Sequence, residues 1–522
     1  MRSFRFVDKQ VRNNYLLNYM HNGGTLAWIL CSYLFKRHRW YMVPLMSDPC
    51  SIRFEPSLNT PERDIYDLFE ALEEVCRLLR QGRYDLLLAH LIDVDRVSLP
   101  ALEQTYPVSE DKPYSPEFLV DSSKTEGKTF AFLIHTTSVA DVIRSFPKAI
   151  TCNYSREQKE ALAHKVMEFG RIDFSPAVAL RFAVSSNHSY ANGIMIYSPI
   201  SPQDMLKLPP AEKHNLLQSW LDVAREENVE VVGLGAYSSV ISRGGESILE
   251  QARDLTLTTG NSLTAISCSE MVLDMADHNL LGKRLAVIGA RGAVGKLVVS
   301  ELAHYADTIE LIGRPGSEEA VHKEIVNHLC RLSLEGEYPA LAGSLINRIR
   351  SVAGRLHITK GACEKDVEAL ARKAAANLPG LSATGQRHAL ACSDYVIAAT
   401  SEGKPFLRSD CLKPGAVAVD VARPFDFIMS DHSQALVVEG GLVHQPNPHV
   451  YGDNNMTGSK PGVNLACLSE TIVLALGRAS GHYSIGKSLD HGQAKAIRQQ
   501  AGAHDFHPML WKKSEQKIEV GE

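Results

Sequence analysis

The sequence lacks the features that mark several common classes of protein. Its 522 residues carry a formal net charge of only −5, which argues against a nucleic-acid-binding protein. The ten cysteines show no CxxC or Cys/His spacing, so they predict reduced thiols, with no disulfide framework and no metal site. The most apolar early stretch, residues 26–35, is about half the length that a membrane span needs, and no signal peptide is apparent. We therefore expect a cytoplasmic globular protein without an integral membrane segment, a metal ion or a nucleic-acid partner.

The length of the chain predicts several domains, and its texture changes near residue 125. Residues 1–125 are predicted to form an accessory unit, either α/β or mainly helical. A helix is expected there over 63–83, because Leu68, Leu72, Val75, Leu78 and Leu79 recur at helical spacing. A polar, proline-bearing stretch at 107–128 has the composition of a linker.

Strands alternate with helices after the linker, which predicts an α/β layer fold. The first part of this region, residues 126–275, is expected to be an α/β substrate domain. The segment 317–390 is mostly helical in pattern. Residues 451–522 are expected to form a helical C-terminal part.

A glycine-rich turn lies between a hydrophobic strand at 284–288 and a helix at 293–306. A further strand at 308–312 completes a βαβ unit, the context in which such glycines approach the pyrophosphate of a dinucleotide. The N–H groups at the start of the helix also favour phosphate. We therefore predict a Rossmann domain over 276–450. The turn residues predicted to bind the cofactor are Gly289, Arg291, Gly292, Ala293, Val294 and Gly295.

The end of the second strand selects between nicotinamide cofactors. A carboxylate there would bind the ribose 2′-hydroxyl of NAD, whereas Arg314 can pair with a 2′-phosphate, so NADPH is the predicted cofactor. The alternative for Arg314 is a solvated loop position. Thr400 and Ser401 end a later strand and are predicted on the nicotinamide side, with helix capping as the alternative. Asp420 and Arg423 end another strand, where an ordinary surface pair is the alternative.

A cysteine stands near the start of an apolar helix at 465–476. Cys467 follows a glycine- and asparagine-rich approach over 451–462. A position in the first helical turn lowers the pKa of a thiol and favours the nucleophilic thiolate. Free cysteines are nevertheless among the most buried residues, so an inert thiol remains the alternative.

From about residue 130 to residue 509 the chain resembles the long-chain acyl-(acyl-carrier-protein) reductases of cyanobacteria. The more specific parts of this likeness are the Thr-Thr-Gly-Asn-x-x-Thr-Ala block at 258–265 and the Ala-Cys-x-x-Glu block at 466–470. Other segments carry it in the same order, at 133–138, 233–239, 285–295, 311–314, 438–444 and 504–508. In that family the matching cysteine takes the acyl chain as a thioester, and hydride from NADPH releases a fatty aldehyde.

The resemblance implies reduction of an acyl thioester, carried by acyl-carrier protein or coenzyme A, to an aldehyde through an acyl-cysteine. Cys467 would be the nucleophile. Glu470 would orient a group or relay a proton, with stabilisation of the helix dipole as the alternative. Each step forms an oxyanion that needs hydrogen-bond donors. The candidate donors, each also typical of a cap or turn, are Asn261, Tyr237, Ser239 and Thr259, and Thr259 is also predicted beside the cofactor.

Two other functions stay open at this point. One is direct hydride transfer from NADPH to a ketone, imine or quinone, with Cys467 structural. The other is a non-catalytic NADPH-binding scaffold. Residues 1–125 have no counterpart in the resembled family. The basic cluster at 36–40 could bind an acidic carrier protein. The alternative is that the cluster is a solvated helix end. The sequence does not predict the oligomeric state.

Overall fold

A computed structural model describes residues 2–3, 14–45, 51–94, 99–101, 121–336, 338–446, 451 and 460–510. Much of the predicted linker at 107–128, and most of the approach to the cysteine at 451–462, lie outside the described residues. The chain divides into two compact units. The first comprises Met1–Val232 and Asn447–Gly462, and the second comprises Gly233–Pro446 and Val463–Glu522. The four-part division at residues 125, 275 and 450 stays a prediction.

The first unit combines helices with a mixed sheet. Strands β4, β7 and β5 lie side by side and run parallel, and β6 pairs with β7 in the antiparallel sense. Its helices are α1 Tyr15–Asn22, α2 Thr25–His38, α3 Glu62–Arg80, α4 Tyr84–Leu88, α5 Val139–Arg144, α6 Lys148–Asn153, α7 Arg156–Ile172, α8 Pro202–Lys207 and α9 Pro210–Glu226. Its strands are β1 Arg2–Ser3, β2 Val43–Pro44, β3 Ser51–Arg53, β4 Thr125–Glu126, β5 Phe130–His135, β6 Ala177–Ser185 and β7 Ser189–Ser198.

The hydrophobic pattern explains the helices near the N-terminus. The predicted helix over 63–83 is confirmed as α3, and the five apolar residues of its predicted stripe are all buried. The apolar stretch at 26–35 lies within α2, where Leu26, Leu30 and Leu34 pack in the same core. No helix among the described residues is both long and apolar enough to cross a membrane.

The second unit is built on a six-stranded parallel sheet. Strand β8, Val231–Leu234, contains the boundary between the units. The strands that follow are β9 Thr256–Thr258, β10 Leu285–Ile288, β11 Ile309–Ile312, β12 Leu381–Thr384, β13 Tyr395–Ala398, β14 Leu407–Arg408, β15 Val417–Asp420, β16 Phe427–Ile428, β17 Leu436–Glu439, β18 Leu442–His444, β19 Val463–Leu465 and β20 His507–Pro508. The sheet order is β12-β11-β10-β13-β15-β17, and each adjacent pair is parallel.

The second unit also contains helices, which confirms the α/β prediction. They are α10 Tyr237–Ile241, α11 Asn261–Met275, α12 Ala293–Leu302, α13 Glu318–Glu335, α14 Leu345–Arg355, α15 Glu364–Asn377, α16 Ala466–Leu476 and α17 His491–Ala503. The segment 317–390 is mostly helical, as predicted, and its apolar residues share one core with Leu285 and Val287 of β10. Helices α11, α12, α16 and α17 pack together, and β18 pairs with β19 and β20 in a small antiparallel sheet.

Candidate functional site

The glycine turn lies at the carboxyl end of β10, between the ends of β11 and β13. Gly289 has a φ of +85°, and a Cβ atom there would stand 2.4 Å from the carbonyl oxygen of Ala399. Only glycine therefore fits between β10 and the end of β13. Gly292 donates its N–H to the Gly289 oxygen at 2.9 Å and caps α12, which begins at Ala293. The first N–H groups of α12 have no partner within the helix, so the turn can accept an anion.

The other residues predicted to bind the cofactor have varied surroundings. The Arg314 side chain is 89% exposed and lies 3.6 Å from Glu402, with β10 between the two strands that precede them. Thr400 donates its hydroxyl to Asp426 at 2.7 Å, and Ser401 is exposed. Ala293 and Val294 are half-buried in the first turn of α12. Their contact with a ligand stays a prediction.

An ion pair beside the turn, between the buried Lys296 and the half-buried Glu324, was not predicted from the sequence. Lys296, on α12, is 5% exposed, and its Nζ donates to Glu324 Oε1 at 2.6 Å and to Ser488 Oγ at 3.2 Å. Glu324, on α13, also accepts from Arg291 Nε at 2.8 Å. Burial raises the pKa of Glu324, but the bonds from the two cations outweigh burial and the pKa falls below its usual value. The available signal was a lysine directly after the glycine motif.

Two buried carboxyl groups lie at the end of β15 and in the segment that follows it, Asp420 and Asp426. Asp420 accepts the backbone N–H groups of Ala422 at 3.0 Å and Phe427 at 2.9 Å. Burial raises the pKa of Asp420 to about 7 and that of Asp426 to about 6. The prediction that strand ends collect polar side chains at this edge led to Asp420 and Thr400. Asp426 was missed because it lies in the irregular segment beyond β15.

Arg423 does not form a surface pair with Asp420. Its guanidinium pairs with Glu439, lies 4.5 Å from the ring centroid of Phe425 and donates to the Ala422 oxygen at 2.9 Å.

Cys467 is the second residue of α16 and is half-buried against the turn that precedes α11. Cys467 contacts Gly260, which has a φ of +70°. A Cβ atom on Gly260 would stand 2.3 Å from the Cα of Cys467 and 2.5 Å from its Cβ. The two sequence blocks at 258–265 and 466–470 therefore meet in space.

The surroundings of Cys467 favour the neutral thiol over the thiolate that its helix position predicts. Burial raises its pKa to about 11. The Arg423 guanidinium and the backbone N–H of Leu468 lower that pKa, but burial outweighs them. A first-turn position favours a thiolate only where the sulfur remains solvated or closely paired with a cation.

Glu470 lies at the centre of a buried hydrogen-bond network. Its Oε1 accepts the hydroxyls of Thr258 and Ser484, each at 2.6 Å, and its Oε2 accepts the Leu263 N–H at 2.8 Å. Burial raises the pKa of the carboxyl, and these bonds oppose the rise. Glu470 thus holds the start of α11 and the Ser484 segment against α16. A catalytic role for it stays a prediction.

The predicted oxyanion donors differ in their burial and in their hydrogen-bond partners. Thr259 is buried and donates its hydroxyl to the Ser484 oxygen at 2.5 Å. Asn261 is the half-buried first residue of α11. Tyr237 and Ser239 are buried in α10, and burial raises the pKa of the Tyr237 hydroxyl, with the Asp426 and Glu402 charges adding to the rise.

Comparison with known proteins shows a similarity to an aminotransferase. No family model matches the chain. The chain is 23% identical over 385 residues to the aminotransferase PigE of Serratia sp. (strain ATCC 39006), a match that covers 72% of the chain. It covers 39% of the relative, so the chain spans about two fifths of that protein's length.

This finding contradicts the reaction expected from the sequence. The relative is named as an aminotransferase, so the resemblance to acyl-(acyl-carrier-protein) reductases was wrong, as were the NADPH cofactor and the reduction of an acyl thioester. Direct hydride transfer and an NADPH-binding scaffold are not supported either, and nothing supports an acyl-carrier partner. The physical reason lies in the shared blocks. Thr258, Gly260 and Glu470 make buried contacts that pack α11 against α16, and such packing does not specify a reaction.

Proposed function

We propose that this chain binds a ligand through a phosphate or pyrophosphate group at the glycine turn, as part of an enzyme that transfers an amino group. The observation that carries the binding step is the turn itself. It joins the carboxyl end of β10 to the N-terminus of α12 in a six-stranded parallel sheet. The similarity to a protein named as an aminotransferase supports the class of reaction.

The strand order supports the position of the ligand. Numbered along the chain, the six strands lie in the order 3-2-1-4-5-6, with β10 as strand 1 and β13 as strand 4. That is the order of the Rossmann fold, in which ligands bind where the order reverses, outside the carboxyl ends of the strands. The glycine turn follows strand 1, next to that reversal. We therefore propose a Rossmann-type phosphate site there.

In aminotransferase chemistry, pyridoxal phosphate would be the group that supplies an electron sink for bonds at an amino-bearing carbon. Such sites hold the cofactor through a lysine imine and place an acidic or basic group at the pyridine nitrogen. The turn fits the phosphate of that cofactor. The remaining groups do not fit. Lys296, the one buried lysine of the described residues, is paired with Glu324, and Asp420 and Asp426 already accept hydrogen bonds from the backbone or Thr400.

Binding of two probes tests the phosphate site. The full chain is titrated by calorimetry with adenosine diphosphate, which carries a pyrophosphate, and with pyridoxal phosphate. Gly292→Asp should weaken binding of either probe by roughly tenfold or more, because a carboxylate at the cap of α12 competes for its N–H groups and repels phosphate. The helix itself should stay intact, since aspartate is a good N-cap residue.

Ser155→Asp is the matched control, because Ser155 is the exposed cap of α7 in the other unit. It adds the same charge at a helix start and should leave both affinities unchanged. A lack of binding by both probes, or equal affinities for wild type and Gly292→Asp, would refute the proposed site.

A cytoplasmic location is also proposed. It is supported by the cysteines, which are free thiols wherever the structure describes them.

A further inference from the structure

The hydrogen-bond partners of Lys296 hold its side chain in place, which indicates a structural role. Its side chain is 6% exposed and is held by Glu324 from α13 and by Ser488 from the segment before α17. Its backbone N–H donates to the Gly292 oxygen at 2.9 Å, within the first turns of α12. The amine therefore ties three parts of the second unit together beside the glycine turn.

Imine formation with an aldehyde needs the neutral amine, and lysines that perform it are desolvated without a strong counter-ion. Lys296 is buried, but its Nζ lies 2.6 Å from a carboxylate oxygen of Glu324, so it has the strong counter-ion that such lysines lack. Glu324 is itself held by Arg291, so it cannot leave without breaking two ion pairs. No other lysine of the described residues is buried.

We propose that the phosphate site of this chain holds its ligand without a covalent bond to lysine, and that the Lys296–Glu324 pair is a structural clamp. This inference rests on the proposed phosphate site. It means that Lys296, the one buried lysine of the described residues, is not available to hold pyridoxal phosphate as an imine. The ligand class that remains is a phosphate or pyrophosphate compound bound by the backbone of the turn.

Chemical trapping tests this inference with a readout that does not depend on activity. The full chain is incubated with pyridoxal phosphate and reduced with borohydride, and the lysines that carry a pyridoxyl group are mapped by mass spectrometry. We expect only slow, non-saturable labelling of exposed lysines. A stoichiometric label on any one lysine, suppressed by adenosine diphosphate, would overturn the inference.

Two variants examine the clamp. In Glu324→Gln the amine loses its carboxylate counter-ion, and labelling of Lys296 should rise by on the order of tenfold. Lys296→Met should show no such label and should keep its affinity for adenosine diphosphate within about twofold, because phosphate binding is assigned to the backbone. Circular dichroism confirms that each variant is folded. If Glu324→Gln does not fold, Glu324→Asp replaces it, with the same direction of change expected from a longer ion pair.

Failure of the proposed phosphate site and failure of this inference give different results. If adenosine diphosphate does not bind the wild type, the proposed phosphate site fails, and this inference fails with it. If adenosine diphosphate binds and a stoichiometric pyridoxyl-lysine forms, only the inference fails. Unchanged labelling in folded Glu324 variants would overturn the role of Glu324 as the counter-ion that prevents imine formation.

Discussion

Gly260 and Cys467, which lie 207 positions apart in the chain (467 − 260), are in direct backbone contact. The contact leaves no room for a side chain at Gly260, and it seats the first turn of α16 on the turn before α11. Glu470 secures the same junction one helical turn later. The junction therefore depends on a glycine, a cysteine backbone and a buried carboxyl.

Replacement of Gly260 by alanine tests the contact. The positive φ costs about 1–2 kcal/mol for an alanine, and overpacking against the Cys467 backbone adds about 1–3 kcal/mol. Gly282→Ala is a matched control, because Gly282 has a φ of +73° and no atom within 4 Å of its Cβ position. We expect Gly260→Ala to lower the thermal unfolding midpoint clearly more than Gly282→Ala. Equal shifts of the unfolding midpoint in the two variants would mean that the contact with Cys467 imposes no additional cost on a side chain at position 260.

The Glu470 network predicts an order of stability among its variants. Glu470→Ala leaves the Thr258 hydroxyl and the Leu263 N–H without their buried acceptor, which costs about 1–3 kcal/mol for each unsatisfied group. The Ser484 hydroxyl can still donate to Ser262 Oγ. Glu470→Gln keeps an acceptor oxygen and should be less destabilised. Denaturant titration followed by circular dichroism measures both. Wild-type stability in Glu470→Ala would show that the network does not stabilise the fold.

The thiol of Cys467 should react slowly with an alkylating agent at neutral pH. Its pKa of about 11 means that reactivity rises by roughly tenfold per pH unit between pH 7 and pH 10, without a plateau. Arg423→Gln should slow the reaction further, because the guanidinium lowers this pKa. Peptide mapping by mass spectrometry follows Cys467, with the exposed Cys363 as an internal control in the same sample. A fast reaction at pH 7 would contradict a neutral thiol with a raised pKa.

Local patterns in the sequence predicted the elements, but not the contacts between distant blocks. The βαβ unit around Gly289 and the helix carrying Leu68 follow from periodicity and glycine spacing, which are local properties. The raised pKa of Cys467 could not be predicted, because it depends on burial by segments distant in sequence. The roles of Asp426 and Glu324 were not predicted either, because their hydrogen-bond partners are known only once the chain is folded. The reaction was misassigned because packing residues shared with a family were taken as marks of its chemistry.

The carboxyl of Asp426 predicts a dependence of stability on pH. Burial raises its pKa from an ordinary value of 3.8 to about 6, so the folded state keeps a proton that the unfolded state loses above pH 4. Unfolding is therefore favoured as pH rises from about 4 to 6. The free energy of unfolding should fall over that window by on the order of 2 kcal/mol. The same direction applies to Asp420, whose window extends to about pH 7.

Asp426→Asn removes this titration and keeps both hydrogen bonds with Thr400. The amide oxygen can accept the Thr400 N–H, and the amide nitrogen can donate to its hydroxyl oxygen. Thermal unfolding of the variant should therefore depend less steeply on pH between pH 4 and pH 6 than that of wild type. The variant also removes the charge that adds to the raised pKa of Asp420. The remaining slope should accordingly move to lower pH, and curves of equal slope and position would show that neither carboxyl keeps its proton in the folded state.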